Sequence, residues 1–241
     1  IEKQYASELV RVAGLFHLPF YWAAWYSEQK AVCYSDFLIT LNSRDARELH
    51  RLYGRNADLI LPTSFADKYV ESDICLQIIY LFVGVAFFAN IEGITWFTNE
   101  VLPKIPGRLI IIGKGMDHLV ERFSDPRIEL YGFVEDLSYY YSIATFVVSP
   151  IFSGGGMKTK TAEALMYGKA IIGPKEAFEG YERCGLMYEC NDCCSFVETI
   201  NKLVSSHDCA GFYQEARDLF LHKYSYEASF DFFSKWLMSI G

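Results

Sequence analysis

The sequence predicts an α/β fold with a parallel sheet, and three observations lead to it. Short apolar segments alternate with segments of helical pattern along most of the chain. Glycine or proline directly follows several of the apolar segments, at Gly84, Gly113, Gly132 and Pro150. Such alternation forms right-handed βαβ units, whose strands run parallel. The loops after these strands therefore share one edge of a sheet, where sheets of this kind bind ligands.

Composition limits the classes of function. The 241-residue chain is 51% hydrophobic and 22% charged, and its formal net charge is −8. This content suffices for a buried core in one large or two small domains. We expect no nucleic-acid partner, because binding a phosphate backbone requires a basic face. No uninterrupted apolar segment reaches the roughly 20 residues that a transmembrane helix needs.

The cysteine pattern favours reduced thiols in a cytoplasmic protein, since the seven cysteines are odd in number and no secretory signal opens the chain. Cys190 and Cys193 have CxxC spacing, but no second matched pair accompanies them. A structural role near a helix start is therefore favoured over zinc binding. The chain also lacks DxD and HExxH patterns, so we predict no metal site and no cofactor.

The first part of the chain predicts a helix over residues 1–12, which already begins inside a helical pattern without a starting Met. We therefore expect that a natural N-terminal part of the protein is missing. Residues 15–26 are aromatic and nearly uncharged. Two interpretations remain open for them, a helix packed in an interdomain core or a patch for a lipid, a membrane face or an apolar acceptor.

The next segments predict a small α/β unit and a linker. A strand is expected over residues 37–41, after which Asn42 and Ser43 provide an N-cap for a helix that ends at Gly54. A second strand is expected over 57–61. Residues 62–73 are polar and rich in turn formers, and they are the candidate linker between two lobes.

The remaining chain predicts a second, larger set of alternating elements. Strands are expected over 78–83, 109–112, 127–131, 145–148, 169–172 and 186–188. Helices are expected over 94–102, from about 117, and over 137–143, 192–204, 209–221 and 226–239, with a loop over 87–93 and Asp136 as a helix cap.

The segment from Ser149 to Gly168 carries the clearest chemical signal. It contains the glycines Gly154, Gly155 and Gly156, followed on a predicted helix by Lys158, Lys160 and Glu163. Glycines allow close backbone approach, and a helix N-terminus offers free N–H donors with partial positive charge. With two lysines, this arrangement predicts an anion site, and the acid behind it is suited to neutral hydroxyls such as those of a ribose. The alternative is an ordinary strand–loop–helix corner with solvated lysines.

Two further loops at the same edge contribute candidates. Gly84 permits close backbone approach after its strand, and Asn90 offers a neutral amide that helps to seat a diphosphate. Phe133 and Val134 follow another strand and are placed to hold a flat base, although an ordinary turn explains them equally well. The sequence around Gly113 lacks the third glycine of a dinucleotide fingerprint, so NAD binding is not expected.

These residues resemble the nucleotide-sugar motif of group 1 glycosyltransferases. Residues 154–164 and 168–172 match the GSGxRxKxxEAxxxGxPVV variant position for position, and residues 131–136, 148–150 and 178–180 resemble neighbouring family segments. The resemblance implies a GT-B fold with two Rossmann-like lobes. The bounds it implies are 1–66 for a partial N-terminal lobe, 67–223 for the C-terminal donor lobe and 224–241 for a helix that crosses back.

The resemblance also implies roles for the residues. Lys158 and Lys160 would face the donor diphosphate, and Glu163 would bind the ribose. The three glycines would offer amides, while Phe133 and Val134 would flank the base. Two positions depart from many relatives, which carry an acid where Gly155 stands and an Arg/Lys pair in the loop that here holds Asn90.

The function implied is transfer of a sugar, with retention at the anomeric carbon, from a nucleoside diphosphate sugar to a sugar or lipid-linked sugar acceptor. Synthesis of cell-surface polysaccharide or glycolipid in the cytoplasm, with peripheral contact to the inner membrane face, is the expected setting. Two alternatives remain open: a lobe that binds sugar nucleotides without catalysis, and a GT-B-fold epimerase or phosphorylase.

Overall fold

The computed structural model describes residues 18–71, 77–206 and 211–240. The helix expected over 1–12 lies outside the described residues, as do the first residues of the aromatic segment and of the helix expected over 209–221. The described chain forms two sheets, one of two strands and one of six strands, and every strand pair is parallel. The predicted α/β class with parallel sheets is confirmed.

The first unit contains helix α1 (Leu18–Tyr34), strand β1 (Ile39–Thr40), helix α2 (Ser43–Tyr53) and strand β2 (Leu59–Ile60). The Asn42 side chain accepts a hydrogen bond from the Asp45 backbone N at 2.9 Å, and Gly54 ends α2 at φ 70°. The predicted cap and helix end are therefore confirmed. Both strands are shorter than predicted, because the ladder between them pairs only two residues on each side.

The described residues do not bury helix α1 in the interdomain core that one interpretation of its sequence predicts. Within it only Ala24 and Val32 are buried, whereas Phe20, Trp22 and Tyr26 are about half exposed, at 48%, 59% and 56%. The described residues therefore leave these three aromatic side chains about half exposed to solvent, while Tyr21 and Trp25 are partly buried.

The six-stranded sheet provides the framework of the larger unit. Its strands are β3 (Ile79–Val83), β4 (Arg108–Ile112), β5 (Ile128–Tyr131), β6 (Phe146–Val148), β7 (Ala170–Gly173) and β8 (Met187–Glu189). Their order in the sheet is β5-β4-β3-β6-β7-β8, so the direction of winding reverses between β3 and β6. In the central strands β3 and β6 every residue except Val83 is buried, as expected for a parallel sheet covered on both faces.

The helices of this unit are α3 (Phe88–Trp96), α4 (Ser138–Ile143), α5 (Thr159–Met166), α6 (Cys193–Ser205), α7 (Gln214–Lys223) and α8 (Tyr226–Ile240). Helix α3 continues through a π-helical turn (Phe97–Val101) into a 3₁₀ turn (Leu102–Lys104). The helix expected from residue 117 is a 3₁₀ segment (Met116–Arg122). Asp136 accepts hydrogen bonds from the Ser138 backbone N and hydroxyl at the start of α4.

The prediction of a loop over 87–93 is wrong, because residues 88–93 form the start of α3. Gly93 lies inside this helix, where a Cβ would be 1.9 Å from the Pro150 carbonyl oxygen. The glycine therefore allows close packing of α3 against the chain after β6, and it does not terminate the helix.

Several contacts join the first unit to the larger one. Arg44 Nη1 on α2 lies 3.1 Å from Glu176 Oε2, and the rings of Phe37 and Trp236 on α8 make an edge contact at 5.5 Å. The predicted domain bounds and crossing helix stay predictions. Among the described residues, none of the helices has the length and apolar character required to cross a bilayer.

Candidate functional site

A cleft of about 380 Å³ opens at the carboxyl ends of β3, β4 and β5, beside the point where the strand order reverses. Open α/β sheets bind ligands at this position. The residues around it come from three strand-to-helix loops and from the start of α5, and they are Val83, Gly84, Val85, Asn90, Ile112, Gly113, Lys114, Phe133, Val134, Leu137, Met157, Lys158, Thr159, Lys160 and Glu163.

The cleft brings together seven of the ten predicted site residues, namely Gly84, Asn90, Phe133, Val134, Lys158, Lys160 and Glu163. The glycines Gly154 to Gly156 lie beside it, on an exposed loop, and do not line it. A larger cleft of about 680 Å³ lies between the first unit and the segment 179–182, and none of the predicted site residues lines it.

The glycine loop, residues 154–156, adopts backbone angles that only glycine readily allows. Gly154 has φ 127° and Gly156 has φ 71°, values that side-chain-bearing residues rarely adopt. A Cβ at either position would meet nothing within 4 Å, so close packing does not explain these glycines. The loop leads into α5, whose N-cap residue, Lys158, makes no side-chain capping bond.

Lys158 is already engaged by neighbouring groups. Its ammonium donates to the Gly156 carbonyl at 3.0 Å and to Glu176 Oε1 at 3.1 Å. Glu176 also accepts from Arg44 Nη1 at 3.1 Å, so this carboxylate links the glycine loop to α2. No sequence pattern identified Glu176, because its role depends on where the 3₁₀ turn after β7 (Lys175–Phe178) places it.

Lys160 is buried, with 5% of its surface exposed. Its ammonium donates to Asn90 Oδ1 at 2.8 Å and lies 4.3 Å from the centre of the Phe82 ring. Burial and the neighbouring Lys158 ammonium lower the pKa of Lys160 to about 7, while Glu163 opposes this shift. When it is protonated, a buried amino group that lines a cleft attracts an anionic ligand.

Glu163 lies on α5 behind the two lysines. Its Oε2 accepts a hydrogen bond from the Tyr141 hydroxyl at 2.7 Å, and Tyr141 stacks on Tyr167 with ring centres 4.8 Å apart. Burial raises the pKa of Glu163, and the Tyr141 hydrogen bond and Lys160 oppose that shift. Tyr141 is therefore a supporting residue that sequence reasoning missed, since nothing distinguishes it from the two tyrosines before it.

Replacing Tyr141 with Phe tests this support. The change removes the hydroxyl donor from a partly buried carboxylate, which should cost about 1–3 kcal/mol of unfolding free energy and raise the pKa of Glu163 further. Urea unfolding measures the first effect, and the pH dependence of ligand affinity measures the second. The control is Tyr80→Phe, whose hydroxyl donates to the Pro106 carbonyl away from the cleft, and which should lower stability without changing affinity. Equal affinity in both variants would contradict the role of Tyr141.

The other end of the cleft is suited to a flat group. Phe133 is 75% exposed beside Val134, and Lys114 also lines the cleft. A Cβ at Gly113 would be 1.8 Å from the Gly84 carbonyl oxygen, so the loops after β3 and β4 meet backbone to backbone. The glycine–lysine–glycine sequence after β4 is the pattern that could have identified Lys114, but it indicates a nucleotide site only weakly without the third glycine of a dinucleotide fingerprint.

Within residues 18–71, 77–206 and 211–240, no three His, Cys, Asp or Glu side chains are grouped so that they could hold a metal ion. The described cysteines, Cys33, Cys184, Cys190, Cys193 and Cys194, are free thiols. Cys190 is buried near the start of α6, and Asp192 caps that helix.

A family model described as "Glycosyl transferases group 1" matches residues 77–206, more than half of the chain. A search of curated proteins gave no match.

Solved structures show a clear likeness in fold. Against TarM from S. aureus the TM-score is 0.72 at 14% identity, covering 89% of this chain and 46% of TarM. Against HepE from Anabaena, in complex with UDP and glucose, it is 0.73 at 12% identity, covering 90% and 67%. Against WaaB, a lipopolysaccharide outer core galactosyltransferase, it is 0.63 at 18% identity, covering 87% and 63%. The likeness confirms the predicted GT-B fold, and the chain spans about half to two-thirds of the length of these neighbours.

Proposed function

The chain belongs to the group 1 glycosyltransferases, and from this premise we propose that it transfers a sugar from a nucleoside diphosphate sugar to an acceptor hydroxyl with retention at the anomeric carbon. The bond between the anomeric carbon and the diphosphate oxygen breaks, and a bond to the acceptor oxygen forms. The diphosphate leaves with the bonding electron pair, and the acceptor proton is released.

The protein's main task in this reaction is electrostatic. Negative charge accumulates on the leaving diphosphate, and cations and N–H dipoles fixed in advance stabilise it without reorganising. Lys158 and Lys160 at the start of α5 supply the cations, and the glycine loop supplies backbone amides. Glu163 accepts hydrogen bonds from the ribose hydroxyls, and Phe133 with Val134 flanks the base.

The observation that carries this proposal is the position of Lys160. Its amino group is buried at the carboxyl edge of the sheet, in a cleft that also holds Lys158 and an acid suited to a ribose. The complexes of HepE with UDP-glucose and of the pneumococcal GtfA with UDP and GlcNAc make uridine diphosphate sugars the first donors to test.

The test is a screen of nucleoside diphosphate sugars for thermal stabilisation, followed by calorimetry with the best ligand. A ligand that binds only the folded chain raises its melting temperature. Replacing both Lys158 and Glu163 with Ala should weaken binding at least about a hundredfold, since each removes a charged hydrogen-bonding group. The matched control replaces Lys202 and Glu198, both exposed on α6, and should leave affinity unchanged. Equal affinity in the two double variants would overturn the site assignment.

For the acceptor we propose a sugar or a lipid-linked sugar in the synthesis of a cell-surface polysaccharide or glycolipid. The exposed aromatic side chains of α1 support contact with an apolar acceptor or with the inner membrane face, because large exposed apolar patches mark such surfaces. Binding of the chain to anionic lipid vesicles, compared with a variant carrying Ser at Phe20 and Trp22, tests this part.

A second candidate is binding of sugar nucleotides without turnover. It is favoured by Gly155, which leaves no carboxylate at a position where many relatives have one, and by Asn90, which is neutral where many relatives carry cations nearby. Transfer of sugar to any acceptor by this chain would reject it. Product analysis separates the transferase from an epimerase, which needs no acceptor, and from a phosphorylase, which needs phosphate.

A further inference from the structure

The contacts of Lys160 differ from those of Lys158. Lys158 is paired with a carboxylate, Glu176, whereas the hydrogen bond of Lys160 goes to a neutral amide, that of Asn90. Among the residues that the structure describes, no carboxylate lies within ion-pair distance of Lys160. Its charge is therefore not offset by a direct partner.

Asn90 is held so that its carbonyl end faces Lys160. Its Nδ2 donates to the Val85 carbonyl at 3.0 Å, while Oδ1 accepts from Lys160 at 2.8 Å. Gly84 leaves room for this arrangement, because a Cβ there would be 2.9 Å from Asn90 Nδ2. Both ends of the amide are thus in use, which suits it to orienting Lys160.

The charged groups that act on Lys160 lie on its own segment: Lys158 precedes it at the start of α5, and Glu163 follows on the same helix. Lys114, from the loop after β4, also lines the cleft. Strand β3 contributes the uncharged ring of Phe82. Burial and Lys158 disfavour the ammonium form and Glu163 favours it, which leaves the pKa of Lys160 at about 7.

We propose that Asn90 is a positioning residue that holds Lys160 as a proton-linked anion site: a diphosphate entering the cleft draws a proton from solvent onto Lys160 Nζ, and Asn90 Oδ1 orients the resulting ammonium toward it. The neutral amine gains one proton and no other bond changes. The inference rests on the proposed function for the identity of the anion as a diphosphate. An amide suits this task better than a carboxylate, because it orients the ammonium without cancelling its charge.

The test is direct titration of Lys160 in the full chain, with inorganic pyrophosphate as the probe. The ¹⁵Nζ resonance, detected through the adjacent CH₂ protons and assigned by its loss in Lys160→Arg, reports the protonation state. In the free protein it should titrate close to pH 7, and with saturating pyrophosphate it should stay protonated above pH 8.5. An ordinary lysine titration in the free chain, or no change with pyrophosphate, would overturn the proposal.

A separate experiment tests the role of Asn90. Asn90→Asp places a carboxylate on Lys160, so Lys160 should remain protonated above pH 9 without ligand, and pyrophosphate should bind at least about tenfold more weakly. The control, Asn201→Asp, adds the same charge on the exposed face of α6 and should change neither. If the two variants behave alike, Asn90 does not position Lys160. The proposed function fails separately, if no nucleoside diphosphate sugar binds while pyrophosphate still does.

Discussion

Lys160→Met is expected to abolish donor binding and, in the free protein, to increase the free energy of unfolding. A lysine whose pKa falls from 10.5 to about 7 opposes folding while it is charged, by about 1.4 kcal/mol for each pKa unit. Removing the charge also leaves Asn90 Oδ1 without its donor, which costs about 1–2 kcal/mol. The difference predicts a gain of about 3 kcal/mol at pH 6, so the residue that would bind the diphosphate should lower the stability of the fold.

The sign of the pH dependence makes this prediction specific. Between about pH 7 and pH 10.5 the unfolded chain binds more protons at this lysine than the folded chain, so the stability contribution of Lys160 rises with pH. The advantage of the Met variant should therefore be largest below pH 7 and shrink toward pH 10. Urea unfolding at pH 6 and pH 9 measures it, with Lys202→Met on the exposed face of α6 as the control. A Met variant that is less stable than the parent at pH 6 would contradict the account.

The sequence predicted those features of the fold that depend on neighbouring residues, such as the positions of the strands. Strands β3 to β8 were located to within a residue or two, because buried parallel strands are apolar runs and glycine or proline ends several of them. The order of the strands could not be read locally, since it depends on which edges pair across long separations. The prediction of a loop that includes Gly93 failed for the same reason. This glycine allows α3 to pack against Pro150, which is distant in sequence.

The sequence predicted the side chains of the candidate site that face the ligand. It did not predict the side chains that hold them in place. Lys158, Lys160 and Glu163 were found together, because all three lie within six residues of one segment, directly after the glycine run. The side chains that hold them are Glu176, Asn90 and Tyr141, and they come from three other elements. Sequence reasoning identified Asn90 as a direct diphosphate contact, whereas the structure shows its amide bonded to Lys160 and to Val85. The direct contact stays a prediction.

Gly93→Ala is expected to be strongly destabilising although it improves helix propensity. Alanine in the interior of α3 would by itself favour folding by about 1 kcal/mol. Its Cβ, however, would lie 1.9 Å from the Pro150 carbonyl oxygen and 2.9 Å from the Pro150 carbonyl carbon, so backbone must move. Overpacking of a buried backbone contact costs about 1–3 kcal/mol and occasionally more, and here it exceeds the helix gain. Because a contact at 1.9 Å places the cost at the upper end of this range, we expect a net loss of about 2 kcal/mol by urea unfolding.

Gly93→Ala should also weaken the binding of the donor. Pro150 begins the segment that leads to the glycine loop, so a shift of this carbonyl would move Gly154 and Lys158 relative to the cleft. Donor affinity should fall about tenfold, because small displacements of positioned groups lose much of their interaction with a ligand. Gly185→Ala is the control: its Cβ would meet only Glu215 oxygens at 3.7 Å, an ordinary contact, and stability should change by less than about 0.5 kcal/mol. Equal stability of the two variants would show that α3 does not depend on close approach at Gly93.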